Sequence, residues 1–270
     1  MIFFDLGEPK YMNKYTQTYY VTNECMDVNY KLTPTGVVVF FQDCFAQFLT
    51  TKNLAAFDVI KDNIYWVVSE FNIEYEKDMP FWSEPVKVDV WISEIKPVKF
   101  YADFTLSHDG EIFAKGNSCW YILDTETKRP LPMSKISDKL EVVEELTLGE
   151  HKKFRLADAG EKIKEISHKI SLGDIDFNNH VNNKSYMNIA QATISNEYKY
   201  THTLENISIK FIKETYLDDV LNCKTYKTSE ENSCVHIIEK DGETVCQIST
   251  KWKPKNTENV ISDYKLKIRN

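Results

Sequence analysis

The stretch Asp174–Gln191, DIDFNNHVNNKSYMNIAQ, concentrates side chains able to do chemistry. His180 stands among four amides, Asn178, Asn179, Asn182 and Asn183, with Asp176 four residues ahead. An imidazole moves protons near neutral pH. Amides hold a carbonyl or a water without changing charge. Asp176, Asn178 and His180 alternate along the chain, so an extended backbone would turn all three to one face. Asn182 and Asn183 suit a helix start. A helix start presents unpaired N–H groups and a partial positive charge, which would stabilise an oxyanion formed from a carbonyl. The combination suits hydrolysis of an activated acyl group. The chain has no HExxH, no paired His and no Cys cluster, so no metal is expected. GxSxG and glycine-rich phosphate loops are also missing, and no cofactor is expected.

Elements must position these groups, and the chain sets them out twice. DGEIFAKGNSCW runs from Asp109 to Trp120 and DGETVCQISTKW from Asp241 to Trp252, 132 residues apart. Each Asp-Gly reads as a hairpin turn and each Trp as part of the strand that leaves it. At an offset of 149, Asp27 falls on Asp176, Asn29 on Asn178 and Thr33 on Asn182. Two matches in one order indicate a duplication. In each copy a short strand, about 17–23 or 165–172, precedes one helix. Thr33 before Pro34 reads as a polar cap with Pro at the first helical position, and Asn182 takes the equivalent place. Phe41, Cys44, Phe45 and Phe48 form an apolar stripe on the first helix, and Tyr186, Ala190 and Ile194 on the second. The unbroken apolar run Val37–Phe41 predicts a helix start buried on most sides. Alternating strands follow, at 71–76, 86–93 and Ile207–Phe211, as in an antiparallel sheet. One helix wrapped by an antiparallel sheet, present twice, is an α+β tandem (double) hot-dog fold. The expected division is a first domain at 1–135, a linker at 136–164 and a second domain at 165–270.

Bulk properties fit this layout. A hydrophobic content of 42% with 13% aromatics fills a real core, and only eight Gly and eight Pro speak against disorder. A net charge of −8 disfavours general nucleic-acid binding. HKKFR at 151–155 and KWKPK at 251–255 are basic runs that read as solvated surface. The six cysteines lack CxxC spacing and sit in apolar runs, as reduced core thiols of a cytoplasmic protein do. MIFFDLGEPK does not read as a signal peptide, and no apolar run approaches a membrane span.

The segment DIDFNNHVNNKSYM resembles the D-x-N-x-H-V-N-N-x-x-Y signature of acyl–acyl carrier protein (acyl-ACP) thioesterases. ISIKFIKETYLDDVL (207–221) resembles the family's strand leading to a catalytic Glu, and IYWVVSEFNIEYEKDMPFWSEPVKVDVWIS (64–93) its first-domain strands. The likeness spans roughly residues 15 to 252. It implies catalytic roles for Asp176, Asn178, His180 and Glu214 and acyl carrier protein as the partner that brings the substrate. In the plant members a Cys follows that Glu; here Thr215 does, which argues against a required thiol nucleophile. The absence of a plant transit peptide implies a bacterial-type cytoplasmic enzyme. The first copy keeps Asp27 and Asn29 but carries Lys31 at the place of His180, and the place of Glu214 falls near Met79 or Pro80. Chemistry is therefore expected in the second copy and chain binding in the first, with Val37, Phe41, Phe45 and Tyr186 as candidate substrate-binding residues. The carrier is acidic, so docking on this negative chain needs a local basic face. The competing readings are an acyl-CoA thioesterase of the same fold and a non-catalytic acyl-binding protein. A double hot dog pairs its halves internally, so monomer and homodimer both remain open.

Overall fold

Local signals start both long helices where the caps stand. The computed structural model describes residues 14–151 and 153–255. The N-terminal MIFFDLGEPK, Lys152 of HKKFR and the last residues of the second domain lie outside the described residues. Helix α1 covers Pro34–Thr51, and the Thr33 hydroxyl accepts the Gly36 N–H at 3.0 Å. The short helix α2, Ala56–Val59, follows. Helix α3 covers Asn183–Ala192, and the Asn182 side chain accepts the Lys184 N–H at 3.0 Å. Helix α4, Asn196–Thr201, is capped by Ser195. Val37, Val38, Phe40 and Phe41 are buried, so the start of α1 is enclosed as the apolar run predicts.

The strands are β1 (Tyr15–Tyr20), β2 (Ile64–Tyr75), β3 (Pro85–Ile95), β4 (Phe100–His108), β5 (Glu111–Asp124), β6 (Lys162–Lys169), β7 (His202–Phe211), β8 (Val220–Lys227), β9 (Ser233–Lys240) and β10 (Glu243–Pro254). They form one sheet in the order β1-β3-β4-β5-β2-β7-β10-β9-β8-β6. The second five strands repeat the first five in reverse order across the seam. There Glu70–Glu74 of β2 pair antiparallel with Asn206–Lys210 of β7. The strands β1 and β6 begin two to three residues earlier than the apolar pattern suggested. Both are outer strands and mostly exposed, so nothing requires their first residues to be apolar.

The duplication is visible bond by bond. Both Asp-Gly hairpins hold two residues at positive φ, Asp109 (49°) with Gly110 (80°) and Asp241 (51°) with Gly242 (81°). That is the two-residue turn whose twist matches the flanking strands. Each tryptophan donates its indole N–H to a hydroxyl two residues back, Trp120 to Ser118 at 2.7 Å and Trp252 to Thr250 at 3.2 Å.

Both helices pack on one face of the sheet. In the first half Phe41 stacks on Phe104 at 3.9 Å and meets Phe71 edge-on at 5.7 Å, while Phe45 lies 4.8 Å from Trp120. In the second half Tyr186 meets Phe211 at 5.6 Å. Burial of such rings dominates core energetics. All six cysteines are free thiols and five of them are buried.

The stretch between the halves is a strap on the opposite face. After single turns at Met133–Lys135 and Ser137–Lys139, the Val143 N–H bonds the Ile92 carbonyl at 2.8 Å and the Trp91 indole donates to the Glu145 carbonyl at 2.9 Å. Thr147 donates to Asp103 at 2.7 Å, and His151 sits 2.9 Å from the same fully buried carboxylate. Burial would raise the Asp103 pKa, but hydrogen bonds from His151, Ser93 and Thr147 outweigh it and hold the carboxyl below its usual value. The Phe154 N–H then reaches Glu70, and the Gly160 N–H the Lys227 carbonyl. In HKKFR, Lys153 and Arg155 are exposed, as a solvated basic run requires, but His151 and Phe154 differ and are anchored in the strap. KWKPK differs too. Trp252 is buried, and Lys253 and Lys255 donate to the carbonyls of Tyr75 and Lys199.

Candidate active site

A tight turn, rather than an extended segment, presents His180. The Asp176 N–H bonds the His180 carbonyl at 2.8 Å, and Ile175 pairs with Val181. The Asp176 carboxylate folds into this loop, accepting the N–H groups of Asn178 (2.8 Å) and His180 (3.3 Å). A short acidic side chain commonly binds its own backbone two residues on. This overturns the expectation that Asp176, Asn178 and His180 share one face of a strand. Asp176 holds the backbone of His180, and Asn178 is exposed at the tip. Asn179 takes a positive φ of 61°, the conformation that Asn tolerates best after Gly and that closes the turn.

The loop after β7 brings Glu214 to this turn. The Ile212 N–H bonds the Val245 carbonyl at 2.9 Å, the Val181 N–H bonds the Thr215 carbonyl at 2.9 Å, and the Asp219 carboxylate accepts the Tyr216 N–H at 2.8 Å. His180 Nε2 and Glu214 Oε2 then stand 3.4 Å apart, both side chains partly exposed. The Tyr216 hydroxyl donates to Glu214 Oε2 at 3.1 Å, and its ring meets the His180 imidazole edge-on at 5.3 Å. The Tyr65 hydroxyl, from β2, lies 3.4 Å from Glu214 Oε1. Sequence reasoning found neither tyrosine. The two-residue spacing of Glu214 and Tyr216 was a usable signal; nothing local linked Tyr65 to a residue 149 positions away.

Thr215, in the position next to Glu214, is fully buried, and its hydroxyl bonds that of Tyr186 at 2.6 Å. Burial pushes the Tyr186 phenol well above its usual range, so it stays neutral. At the start of α3 the Lys184 N–H is taken by Asn182 Oδ1 and the Ser185 N–H by the Asn182 carbonyl. The helix start thus offers fewer open N–H groups than the cap sequence suggested.

The first copy builds the same turn without the pair. The Asp27 N–H bonds the Lys31 carbonyl at 2.8 Å, and Asp27 Oδ1 accepts from the N–H groups of Asn29 and Lys31. The Leu32 N–H bonds the Pro80 carbonyl as Val181 does that of Thr215, which sets Met79 level with Glu214. Lys31 is instead 3.1 Å from Asp78.

Of the candidate substrate-binding residues, Tyr186 touches the site through Thr215, and a row of ring contacts leads from it through Phe211 and Phe71 to Phe41 and Phe45. Val37 is fully buried at the start of α1. The rings are packed on one another. Two cavities lie away from this row. One, of about 380 Å³, is at the β4–β5 hairpin, and the other, of about 710 Å³, lies beyond the C-terminal end of α3. Among the described residues no group of His, Cys, Asp and Glu is arranged to hold a metal, and no helix is long and apolar enough to cross a membrane.

Known proteins resemble this chain in sequence and fold. The family model described as the acyl-ACP thioesterase N-terminal domain matches residues 12–141, and that of the C-terminal domain matches residues 157–254. The chain is 26% identical over 215 residues to a chloroplastic acyl-[acyl-carrier-protein] hydrolase of Cuphea viscosissima, covering 74% of this chain and 51% of that protein. It is 28% identical over 216 residues to a chloroplastic oleoyl-acyl carrier protein thioesterase of Coriandrum sativum, covering 73% of this chain and 54% of that protein. The chain thus spans about half the length of these curated relatives. In fold it is similar to a crystal structure of an acyl-ACP thioesterase from Bacteroides thetaiotaomicron, with a TM-score of 0.77 at 21% identity, covering 89% of this chain and 98% of that one.

Proposed function

We propose that this chain, which belongs to the acyl-ACP thioesterase family, hydrolyses the thioester of a fatty acyl–acyl carrier protein. The products are the free fatty acid and the carrier's thiol, and chain elongation ends there. The observation that carries this reading is the His180–Glu214 pair at 3.4 Å beside the start of α3, formed in the second copy only. A water held between imidazole and carboxylate attacks the thioester carbonyl. The pair takes the water's proton and returns it to the departing thiolate, so no external acid is needed. The oxyanion of the tetrahedral intermediate faces the start of α3, with the Asn178 amide as a further donor. Asp176 keeps the turn that carries His180. A partly exposed pair suits this role, because the carrier's arm must reach it and the product must leave.

In this reading residues 165–270 carry the chemistry, 136–164 join the copies and 1–135 receive the acyl chain. Val37, Phe41, Phe45 and Tyr186 border that chain, which enters along the aromatic row as the rings give way. The acidic carrier docks by a local basic face on an otherwise negative chain.

The test is hydrolysis of a panel of acyl-ACP thioesters from short to long chains, beside the matching acyl-CoA esters. Release from the carrier-bound esters is expected. His180→Ala and Glu214→Ala are each expected to lower turnover by about 10²–10⁴. Near-normal turnover by either variant overturns the assignment, and preferential cleavage of CoA esters moves the chain to the competing acyl-CoA reading.

A further inference from the structure

Nothing intrinsic to a glutamate fixes the plane of its carboxylate, because the terminal torsion is broad. A glutamate that works with a histidine must therefore be held from outside. Glu214 has hydroxyl partners on both oxygens. Oε2 accepts from Tyr216 at 3.1 Å and faces His180 at 3.4 Å, while Oε1 faces the Tyr65 hydroxyl at 3.4 Å. Tyr216 and His180 come from the second copy; Tyr65 comes from the first. The two tyrosines are not equivalent, since Tyr216 is 45% exposed and Tyr65 only 8%. Water competes for the first bond and much less for the second.

The sheet explains how a first-copy residue reaches this site. Strand β2 runs antiparallel to β7, with Glu70 opposite Lys210 and Glu74 opposite Asn206. Just before these paired residues, past an irregularity between Val68 and Glu70, β2 carries Tyr65, whose hydroxyl lies 3.4 Å from Glu214 Oε1. The start of β2 is thus delivered to the loop that carries Glu214.

We infer that Tyr65, borne by the copy without the catalytic pair, is a positioning residue for the second copy's site, locking the Glu214 carboxylate through Oε1 so that Oε2 stays aimed at His180. This rests on the thioesterase reading and deepens it. Burial, then the charge of Glu214 and its hydrogen bond, push the Tyr65 phenol up to about 12, so it keeps its proton and acts as a donor. Lys128 Nζ lies 4.5 Å from the centre of the Tyr65 ring, which steadies the ring and needs no hydroxyl.

Tyr65→Phe keeps the ring, its burial and the lysine contact, and removes only the donor. Thioester hydrolysis is measured for this variant alone and in the Glu214→Gln background, with melting temperature alongside. The expected result is about a tenfold loss of kcat, the scale of one hydrogen bond to a charged group. KM for acyl-ACP and the melting temperature stay as in the wild type. In the Glu214→Gln background Tyr65→Phe costs nothing more, because its effect runs through that carboxylate. Wild-type kcat in Tyr65→Phe overturns the inference while the thioesterase reading stands. The same tenfold loss in both backgrounds overturns it too, because that is the mark of a general packing role. A wild-type protein that cleaves no thioester is a separate result and overturns the functional reading itself.

Discussion

At the scale of single residues, the two copies differ most where a side chain exchanges packing for polarity. His236 of β9 occupies the place that Phe104 holds in β4, five residues before the hairpin aspartate. It is fully buried, with Nδ1 2.7 Å from the Thr225 hydroxyl and Nε2 3.0 Å from that of Thr250. Burial lowers its pKa to about 3. In the unfolded chain it would titrate near ~6.5. Between these values the unfolded state binds a proton that the native state refuses, so stability falls as pH drops from ~6.5 toward 3. The slope reaches at most ~1.4 kcal/mol per pH unit. Urea unfolding at several pH values is expected to show a slope smaller by one proton in His236→Gln than in the wild type; equal slopes would mean that His236 charges inside the fold. The residue scale is also where the sequence misled. Alternation of Asp176, Asn178 and His180 looked like a strand, yet a carboxylate two residues from an amide N–H closes a turn as readily. Glu214 came from the family likeness. Tyr65 was illegible because only the register of two strands far apart in sequence brings it near.

Elements were the most legible level, because their signals are local. Thr33-Pro34, Asn182 and the two Asp-Gly pairs each state a cap or a turn within four residues, and each forms where expected. The helix starts are therefore held by single side chains. Removing the Thr33 hydroxyl leaves the Gly36 N–H without its acceptor and also deletes a donor to the Cys25 carbonyl at 3.1 Å. Thr33→Ala is expected to cost about 1 kcal/mol, the usual scale for a lost cap, read as a lower denaturant midpoint at unchanged slope. A midpoint equal to the wild type would show that the buried run after the cap holds α1 alone. The strap escaped sequence reading for the opposite reason. Its anchors, Asp103 and His151, are 48 residues apart and have meaning only on the far face of a sheet already built.

At the scale of the whole molecule, one uninterrupted sheet runs through both copies, and the seam between β2 and β7 is as much a part of it as any hairpin. The chain crosses from one copy to the other only once, along the strap, whose residues 157–160 are exposed. Either half alone would present the long flank of β2 or β7 to solvent, an unpaired edge of the kind that recruits other chains. Each half is thus expected to need the other, while the covalent link between them is expected to be dispensable. Residues 1–157 and 158–270, made as separate polypeptides, are expected to aggregate singly. Produced together they are expected to combine into a two-piece protein that elutes at the size of the intact one and regains its activity. A half that stays soluble and monomeric by itself would show that the seam is not what holds the copies together. With the expected outcome, the thioester cleavage proposed for the intact chain becomes a readout of whether its two halves have found each other.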